Sequence, residues 1–531
     1  MRKVMLLGAT IPLLLIPGMA LAQPEPVETG APPPTQGPAT PEQVLEELRA
    51  LRAERQQMQH DMNAFDARIE ALETQLGVTP PQSGLATAQP PQTGLTTEHS
   101  GQPLDLGLQT PQGQEQSTAT VPAPARDEDQ TGWGTRYEPG RGFVLVRSDI
   151  GELGAGVYSY VRYLNQTALD PSYTDSFGRV LPLSDIRNDI QFQKMSWNFK
   201  GWLFDPNFRY YFFFWTSNSQ MGEGAQVVLG GYFQYRFSDL LTVTAGVMPL
   251  PTTRSTNYTF PNWLRNDNRV MADEFFRGSY STGIDAQGEL LRGLRYRVAI
   301  ANNLAQLGVS SLELDSGFNT FSGALWWMPT TGEFGPASGF GDYERHQEVA
   351  TLLGIHYTRS RETAQGQPEI DDFENSQIRL SDGTLLFSPD PFGTGGKVER
   401  ATYQMLAVNA GLKYRGFSLE GEYYFRWVDD FDVIGTIPVT ELYDHGFSLQ
   451  GSAMVIPNRV QAYATYSHIF GQYGNPSELA LGINLFPFRR REVRWNFQAL
   501  RLDHSPVGGS SLPMVVGGNG WVFSSDWIVA F

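Results

Sequence analysis

The sequence predicts an all-β protein: a 16-stranded antiparallel transmembrane β-barrel, preceded by an α-helical coiled coil and a disordered linker. The C-terminal stretch "WVFSSDWIVAF" alternates apolar with polar residues, so Trp527, Val529 and Phe531 share one strand face, with Ser524 and Asp526 on the other. After the N-terminal apolar stretch, no run approaches the ~18 apolar residues that a membrane-spanning helix needs. The 55 Gly and 35 Pro among 531 residues favour short strands and many turns.

Sixteen segments with a period of two are separated by turn residues, and several exceed ten residues, which suits a tilted membrane crossing. The predicted strands are 154–164, 188–200, 207–218, 225–237, 240–248, 282–291, 294–303, 320–329, 347–359, 401–415, 417–428, 446–455, 459–469, 477–487, 492–503 and 521–531. Tight turns alternate with long loops, which is typical of outer-membrane barrels.

An even number of strands places the two ends of the barrel domain on one side of the membrane. If Phe531 lies at the periplasmic rim, the N-terminal region is also periplasmic. One connection, residues 329–347, is long where the alternation requires a short turn. It is either a periplasmic insertion or a sign that the strand count is wrong by two.

Residues 1–22 have the features of a secretory signal peptide. Arg2 and Lys3 precede an apolar stretch over 4–15, and the small residues 20–22 form a cleavage pattern. A membrane anchor is the alternative, but the apolar run is short and interrupted by prolines. We therefore predict export and removal of this segment.

Residues 41–77 follow a Pro-rich spacer (23–40) and predict a periplasmic coiled coil, because apolar residues recur in steps of four and three. The seam consists of Val44, Leu48, Leu51, Arg55, Met58, Met62, Phe65, Ile69, Leu72 and Leu76. A lone amphipathic helix on a surface is the alternative. A coiled coil predicts an oligomer, and the low-complexity residues 78–141 predict a flexible linker to the barrel domain at 142–531.

Composition excludes several classes of function. The net charge is −17 and both the N-terminal part and the barrel part are acidic, which argues against nucleic acid as a partner. The chain has no cysteine, so disulfides and thiolate chemistry are excluded. A nucleophile elbow, a Walker loop and a zinc-protease motif are all lacking, and the seven histidines have no metal-ligand spacing. We expect neither an enzyme nor a cofactor or metal site.

Residues 142–531 resemble the phosphate-selective porin family, the outer-membrane porin O and P type. The resemblance lies in "GFVLVRSDIGELGAGVYSYVRYLNQ", "IQFQKMSWNFKGWLFDPNFRYYFFF", "LTVTAGVMPLPTTRSTNYTFPN", "GDYERHQEVATLLGIHY" and "LALGINLFPF", in this order. It implies a trimeric outer-membrane porin whose third external loop folds inward, and it implies that the 329–347 connection is a family feature. It also implies that Phe531, with Val529 and Trp527, is the signal read by the outer-membrane assembly machinery.

The charged residues do not favour phosphate selectivity, although anions such as phosphate remain candidate solutes. Selective members of the family are known for lysine- and arginine-rich pores, whereas residues 143–531 contain only Lys194, Lys200, Lys397 and Lys413. The segment expected to fold inward, 249–281, is only slightly positive. Its charged residues are Arg254, Arg265, Arg269 and Arg277 against Asp267, Asp273 and Glu274, and the first four with Asp267 are the candidate constriction residues.

Charged rings inside a pore select ions by sign. Strand alternation places a set of charged side chains on the inner wall: Arg162, Arg236, Arg295, Arg297, Arg426, Arg494, Glu420 and Glu422. Arg295 and Arg297 share one strand face and are the preferred pair for contact with an anion. The alternative is that these charges pair with one another and only brace the wall.

Together these features predict an outer-membrane porin for passive diffusion of small hydrophilic solutes or ions, with lipid as its surroundings and a homotrimer as its assembly. The alternative is a structural outer-membrane anchor whose coiled coil spaces or tethers the cell wall.

Overall fold

The computed structural model describes residues 132–138, 142–183, 186–217, 226–256, 263–266, 269–304, 317–335, 339–363, 378–508 and 512–531. The predicted signal peptide, spacer and coiled coil lie outside these residues, as does most of the linker. The first described strand, at 132–138, begins ahead of the barrel boundary expected at residue 142.

The described residues form twenty strands and one short helix. The strands are β1 (Gly132–Glu138), β2 (Gly142–Ser148), β3 (Gly151–Leu169), β4 (Ser172–Thr174), β5 (Val180–Pro182), β6 (Asn188–Leu203), β7 (Asp205–Ser217), β8 (Gln226–Ser238), β9 (Leu241–Pro249), β10 (Tyr280–Leu291), β11 (Leu294–Ala301), β12 (Thr320–Trp327), β13 (Ala350–Thr363), β14 (Lys397–Tyr414), β15 (Phe417–Ile434), β16 (Leu442–Ile456), β17 (Val460–Phe470), β18 (Ser477–Leu485), β19 (Val493–Asp503) and β20 (Gly520–Ala530). A 3₁₀ turn covers Arg254–Thr256, and the helix α1 covers Met271–Phe276.

Sixteen of these strands, β3 and β6 to β20, close into an antiparallel barrel. Each pairs with the next along the chain, and β20 pairs with β3, where Ile528 lies opposite Tyr160. Closure leaves none of these sixteen strands at an unpaired sheet edge. All sixteen predicted strands are confirmed. The hairpin of β1 and β2 extends one end of β3, and β4 and β5 form a separate ribbon within the first long loop.

The barrel is apolar outside and polar inside. On β20, the outward Trp527 is 56% exposed, whereas the inward Asp526 is 1% exposed. The same alternation runs along β15, where Phe417 and Leu419 are exposed and Glu420 is buried. Sequence alternation therefore determines which side chains face the interior. The polar side chains face inward and the apolar ones outward, whereas a water-soluble sheet has its apolar face in the core.

The two ends of the barrel differ in their connections. At one end the turns are tight: Arg415 and Gly416, which join β14 to β15, both have a positive φ, as a two-residue hairpin turn requires. Most connections at the other end are longer, so we call the two ends the short-turn end and the long-loop end. The segment 328–349 between β12 and β13 is the exception at the short-turn end. Because the strand count is sixteen, this segment is an insertion and not a sign of missed strands.

At the long-loop end, loop residues pack against inward side chains of the wall in one apolar cluster. Phe276 stacks on Tyr424 with ring centroids 5.2 Å apart, and Phe387 and Leu500 are buried in the same cluster. The loop residues in this cluster therefore lie in the mouth of the barrel. Among the described residues, none of the helical segments combines the length and apolar character of a membrane span.

Candidate functional site: the barrel interior

The segment 250–279, which we call the inward loop, joins β9 to β10, and its described residues, 250–256, 263–266 and 269–279, lie inside the barrel. Wall side chains bind its backbone carbonyls: Arg494 donates to the carbonyl of Trp263 at 2.6 Å, and Arg162 donates to that of Asn266 at 3.1 Å. Buried carbonyls need such donors because water does not reach them. Two of the arginines placed on the inner wall by sequence alternation therefore help to fix this loop.

Two buried ion pairs attach the inward loop to the wall. The guanidinium of Arg265 lies 3.0 Å from Glu478, and that of Arg254 lies 2.9 Å from Glu420. The backbone N–H of Arg254 also donates to Glu422 at 2.8 Å. The predicted pore-lining carboxylates Glu420 and Glu422 thus bind the first turn of the loop. Removing one partner of such a pair leaves a buried charge and is strongly destabilising.

The second half of the loop carries a charge cluster of its own. Arg277 donates to Glu274 at 2.9 Å, and Arg269 lies 3.7 Å from Asp273. The guanidinium of Arg269 also lies 4.3 Å from the ring centroid of Trp263, at a cation–π distance. These contacts connect the two halves of the loop. Of the five predicted constriction residues, Asp267 lies outside the described residues.

Arg295 and Arg297, the preferred pair for anion contact, both face the interior from β11. Arg297 donates to Asp285 on β10 at 3.0 Å, and Arg295 donates to Glu289 at 3.3 Å. They share one strand face as the alternation predicts, and each has a carboxylate partner on the neighbouring strand.

The other wall arginines are also paired. Arg426 donates to Asp444 and to the carbonyl of Arg379, the latter at 2.8 Å, and its guanidinium lies 4.0 Å from the ring of Phe275. Arg236 lies near the short-turn end and binds Asp239. The side chain of Arg236 is partly exposed near the turn between β8 and β9, whereas that of Arg426 is buried in the barrel interior.

The described residues of the insertion, 328–335 and 339–349, lie at the short-turn end, and those around Phe340 contact the inward loop. Phe340 is buried and packs with Trp263 and Leu264 of the loop. The guanidinium of Arg254 lies 4.5 Å from the Phe340 ring and 5.7 Å from the Phe334 ring. From the sequence alone, this segment is identified only as a connection too long for a turn. Its two phenylalanines, Phe334 and Phe340 in "EFGPASGFG", are the feature that could have indicated a packed segment.

Wall and turn residues attach the insertion to the barrel. The ammonium of Lys413 donates to the carbonyls of Phe334, at 2.6 Å, and of Gly339. The carboxylate of Asp342 accepts the N–H of Gly416 at 2.6 Å. At the rim, Arg491 lies 2.8 Å from Glu344. The insertion thus reaches from β12 to the turn between β18 and β19.

His346 forms a small electrostatic cluster at the short-turn end. Its ring contacts the carboxylates of Asp342 and of Glu333, the latter at 3.0 Å. Hydrogen bonds to Asp342 and then to Glu333 raise the pKa of His346 to about 9. Burial would raise the pKa of Asp342, but hydrogen bonds from His346 and Gly416 lower it below its ordinary value. A protonated His346 therefore bridges two carboxylates.

The C-terminal residue completes the barrel seam. The N–H of Phe531 donates to the carbonyl of Val157 at 2.8 Å, and the N–H of Val157 donates back to Phe531 at 2.8 Å. The Phe531 ring also contacts Phe143 of β2, with centroids 5.3 Å apart. Val529 and Trp527, the other members of the predicted assembly signal, face outward.

No family profile matches the chain, and no curated protein is significantly similar to it. Several solved structures are similar. The anion-selective porin from Comamonas acidovorans is 12% identical, with a TM-score of 0.44 over 72% of this chain and 100% of that chain. The Salmonella typhi OmpF complex with daunomycin is 11% identical, with a TM-score of 0.44 over 73% and 99%. The outer-membrane channel DcaP of Acinetobacter baumannii is 7% identical, with a TM-score of 0.44 over 72% and 99%.

Within the described ranges, no group of three or more His, Asp or Glu residues has the geometry to bind a metal ion. The functional candidates there are the charges and aromatic rings of the inward loop, the insertion and the wall.

Proposed function

We propose that this protein is an outer-membrane porin through which small hydrophilic solutes and ions diffuse passively. The closed barrel with an apolar outer face and a polar inner face carries the proposal. In lipid all backbone polar groups must be paired within the protein, and a closed barrel meets this requirement with strands alone. The outer face then contacts lipid, and the polar interior offers a route for solutes.

The solutes that best fit the interior are small and charged or strongly polar. Cationic and anionic side chains face each other on the inner wall, as in the pairs Arg297–Asp285 and Arg295–Glu289. Such mixed charge suits a general or weakly selective pore, with anions such as phosphate among the candidates.

For assembly, we propose a homotrimer with lipid around it and the short-turn end in the periplasm. The coiled coil predicted at 41–77 would then lie on the periplasmic side, because the barrel domain starts and ends at that end. Phe531 would serve as the signal for the assembly machinery, and contact of the coiled coil with the cell wall is a further part of the proposal.

A second candidate function is that of a structural anchor, and the burial of the interior favours it. Arg162, Lys413 and Asp526 face inward and are 0%, 0% and 1% exposed, respectively. A barrel whose interior is packed would hold the coiled coil at the membrane without conducting.

Planar-bilayer recording of the purified full chain discriminates between the two functions. Discrete conductance steps are expected for a porin, whereas an anchor gives a silent membrane. Heat-denatured protein serves as the control for detergent artefacts. The zero-current potential in a salt gradient then gives the sign of the selectivity.

The charge-reversed variant Arg295→Glu with Arg297→Glu tests whether these two arginines contribute to ion selectivity. It replaces two positive charges on one inner face, so the zero-current potential is expected to move toward cation selectivity. The matched control is Arg295→Lys with Arg297→Lys, which keeps both charges. An unchanged zero-current potential in the charge-reversed variant would show that the two arginines do not determine ion selectivity.

A further inference from the structure

We infer that the outer face of β13 and β14, near the long-loop end, binds the headgroup of a membrane lipid that carries phosphate. Three arginines supply the contact, and we call them the arginine column: Arg359, Arg361 and Arg400. The inference goes beyond the proposed channel, because it requires only that the outer face of the barrel contacts lipid.

The first step is the position of the arginine column beside the apolar outer band. Toward the long-loop end, the outward residues of β13 are in turn Leu353, Ile355, Tyr357, Arg359 and Arg361. The first three are 38–46% exposed, as a lipid-facing surface is. The outer face thus changes from apolar to cationic directly after a tyrosine, the residue type that is enriched at membrane–water interfaces. The arginine column therefore begins at the depth of the lipid headgroups.

The second step is that Arg359 lacks a bonded partner. Its side chain is exposed, and within the described residues it has neither a hydrogen-bond nor an ion-pair partner. The residues opposite it on β12 and β14 are uncharged, Phe321 and Gln404. Asp429, whose charge interacts with that of Arg359, accepts a hydrogen bond from the Gln404 amide instead, at 3.4 Å. A charge beside the hydrocarbon is costly without a partner, so an anion from outside the chain stabilises Arg359.

The third step is the arrangement of the other two guanidinium groups. Arg361 donates to the hydroxyl of Thr402 at 2.8 Å and lies 3.3 Å from Asp432, and Arg400 lies 3.5 Å from the same carboxylate. A second carboxylate, that of Asp430, lies 3.7 Å from Arg361. The side chains in these ion pairs are 32–65% exposed, and exposed ion pairs contribute little to stability. A phosphate group competes well for such guanidinium groups, because it accepts paired hydrogen bonds from them.

The fourth step is the separation of acidic groups from the border of the apolar band. Three carboxylates lie on β15, each farther toward the long-loop end than Trp427: Asp429, Asp430 and Asp432. Trp427 itself lies opposite Gln404, in the same row as Arg359, and its ring stacks on Phe425 with centroids 6.2 Å apart. The border thus combines a cation with apolar and aromatic side chains. A lipid fits this combination better than free phosphate does, because its acyl chains contact the apolar band while its phosphate meets the arginines.

The test is the binding of diphosphoryl lipid A to the purified full chain in maltoside detergent, measured by native mass spectrometry. The variant that combines Arg359→Gln, Arg361→Gln and Arg400→Gln removes the arginine column. Its affinity for lipid A is expected to be lower by about tenfold or more, because several charge-assisted hydrogen bonds are lost. Circular dichroism during heating verifies that the variant is folded.

The matched control combines Arg209→Gln, Arg459→Gln and Arg489→Gln. These three arginines are exposed at the short-turn end, so the control loses the same charge at the opposite end of the barrel. It is expected to bind lipid A as the unmodified protein does. Equal losses of affinity in the two triple variants would assign the effect to total charge and overturn the inference.

Single variants test the role of Arg359. Arg359→Gln is expected to weaken binding more than Arg400→Gln does, because Arg400 also has a carboxylate partner in the chain. Arg359→Lys keeps the charge and is expected to bind lipid A more tightly than Arg359→Gln. An affinity of Arg359→Gln equal to that of the unmodified protein overturns the inference.

Two further outcomes separate the lipid site from its alternatives. An excess of inorganic phosphate is expected to leave lipid A bound, and complete displacement would assign the arginines to free phosphate and overturn the lipid assignment. If the protein is silent in planar bilayers while its lipid binding depends on the arginine column, the porin proposal fails and the lipid site stands. If the protein conducts and the triple variant binds lipid A unchanged, the lipid site alone fails.

Discussion

The inward loop and the insertion enter the barrel from opposite ends and are attached by different kinds of contact. The loop is held by fully buried ion pairs: Arg265 and Glu478 have side chains 1% and 0% exposed. The insertion is attached at the rim by partly exposed pairs, such as Arg491 and Glu344, whose side chains are 18% and 30% exposed. Breaking a buried pair leaves an uncompensated charge, whereas an exposed pair contributes little. The insertion also has buried hydrogen bonds from Lys413, so the comparison implies only that its rim contact, the pair Arg491–Glu344, contributes less to stability than the pair Arg265–Glu478.

The largest expected effect is that of Arg265→Ala. It leaves Glu478 buried without its cation, so the unfolding free energy is expected to fall by about 3–5 kcal/mol. The measurement is the temperature at which the purified barrel unfolds, followed by circular dichroism.

The matched control is Arg491→Ala, which breaks the exposed pair with Glu344 and is expected to cost less than about 1 kcal/mol. Equal losses of stability in the two variants would remove the distinction between buried and exposed attachment.

An intermediate effect is expected for Gly341→Ala, which tests the close approach of the insertion to the loop. A Cβ at this position would lie 3.0 Å from Leu264 of the loop and 2.4 Å from the side-chain amide of Gln461 on β17, so the Gln461 side chain, the insertion or the loop has to shift. We expect a rise in single-channel conductance with little change in the folding of the barrel strands.

Gly395→Ala is the control, because Gly395 has φ +78°, close to the +77° of Gly341, and has nothing within 4 Å of its Cβ position. Both substitutions carry the same backbone strain, and only one carries the steric contact. Similar conductance in both variants would assign the effect to strain alone.

The smallest expected effect is the pH dependence of the attachment at His346. Its pKa is about 9 in the folded protein, above the ordinary value of 6.5. The folded state therefore binds the proton more tightly than the unfolded chain, and the stabilisation is full below about pH 6.5 and is lost as the pH rises through about 9. The protection of amides in 339–349, measured relative to their intrinsic base-catalysed exchange rate at each pH, is expected to fall over this range in the unmodified protein.

His346→Gln is expected to abolish this pH dependence while leaving the ion pair of Arg491 in place. The measurement is the same exchange experiment at several pH values. An unaltered pH profile in the variant would show that another group titrates there.

The strand pattern could be predicted because it depends on neighbours in sequence. The alternation of Trp527 and Val529 with Asp526 and Ile528 determines which face turns inward, since side chains of a strand alternate whatever the strand packs against. The inward loop was expected from a family resemblance and not from its own residues. Its contact with Arg494 could not be derived, because Trp263 and Arg494 are far apart in the chain.

The roles of the inner charges also required the structure. Alternation placed Arg162 and Arg494 on the inner wall, where a charge either meets solute or binds protein, and both bind carbonyls of the inward loop. The sequence shows that the connection 329–347 is too long for a turn, but the burial of Phe340 depends on the loop that it contacts.

The sequence by itself determined the strands, their faces and the position of the anomalous connection, because these follow from local periodicity and turn chemistry. Only the tertiary structure decided which arginine pairs with which carboxylate and that two segments meet inside the barrel. Those contacts join residues distant in the chain, and their geometry exists only once β20 has closed against β3.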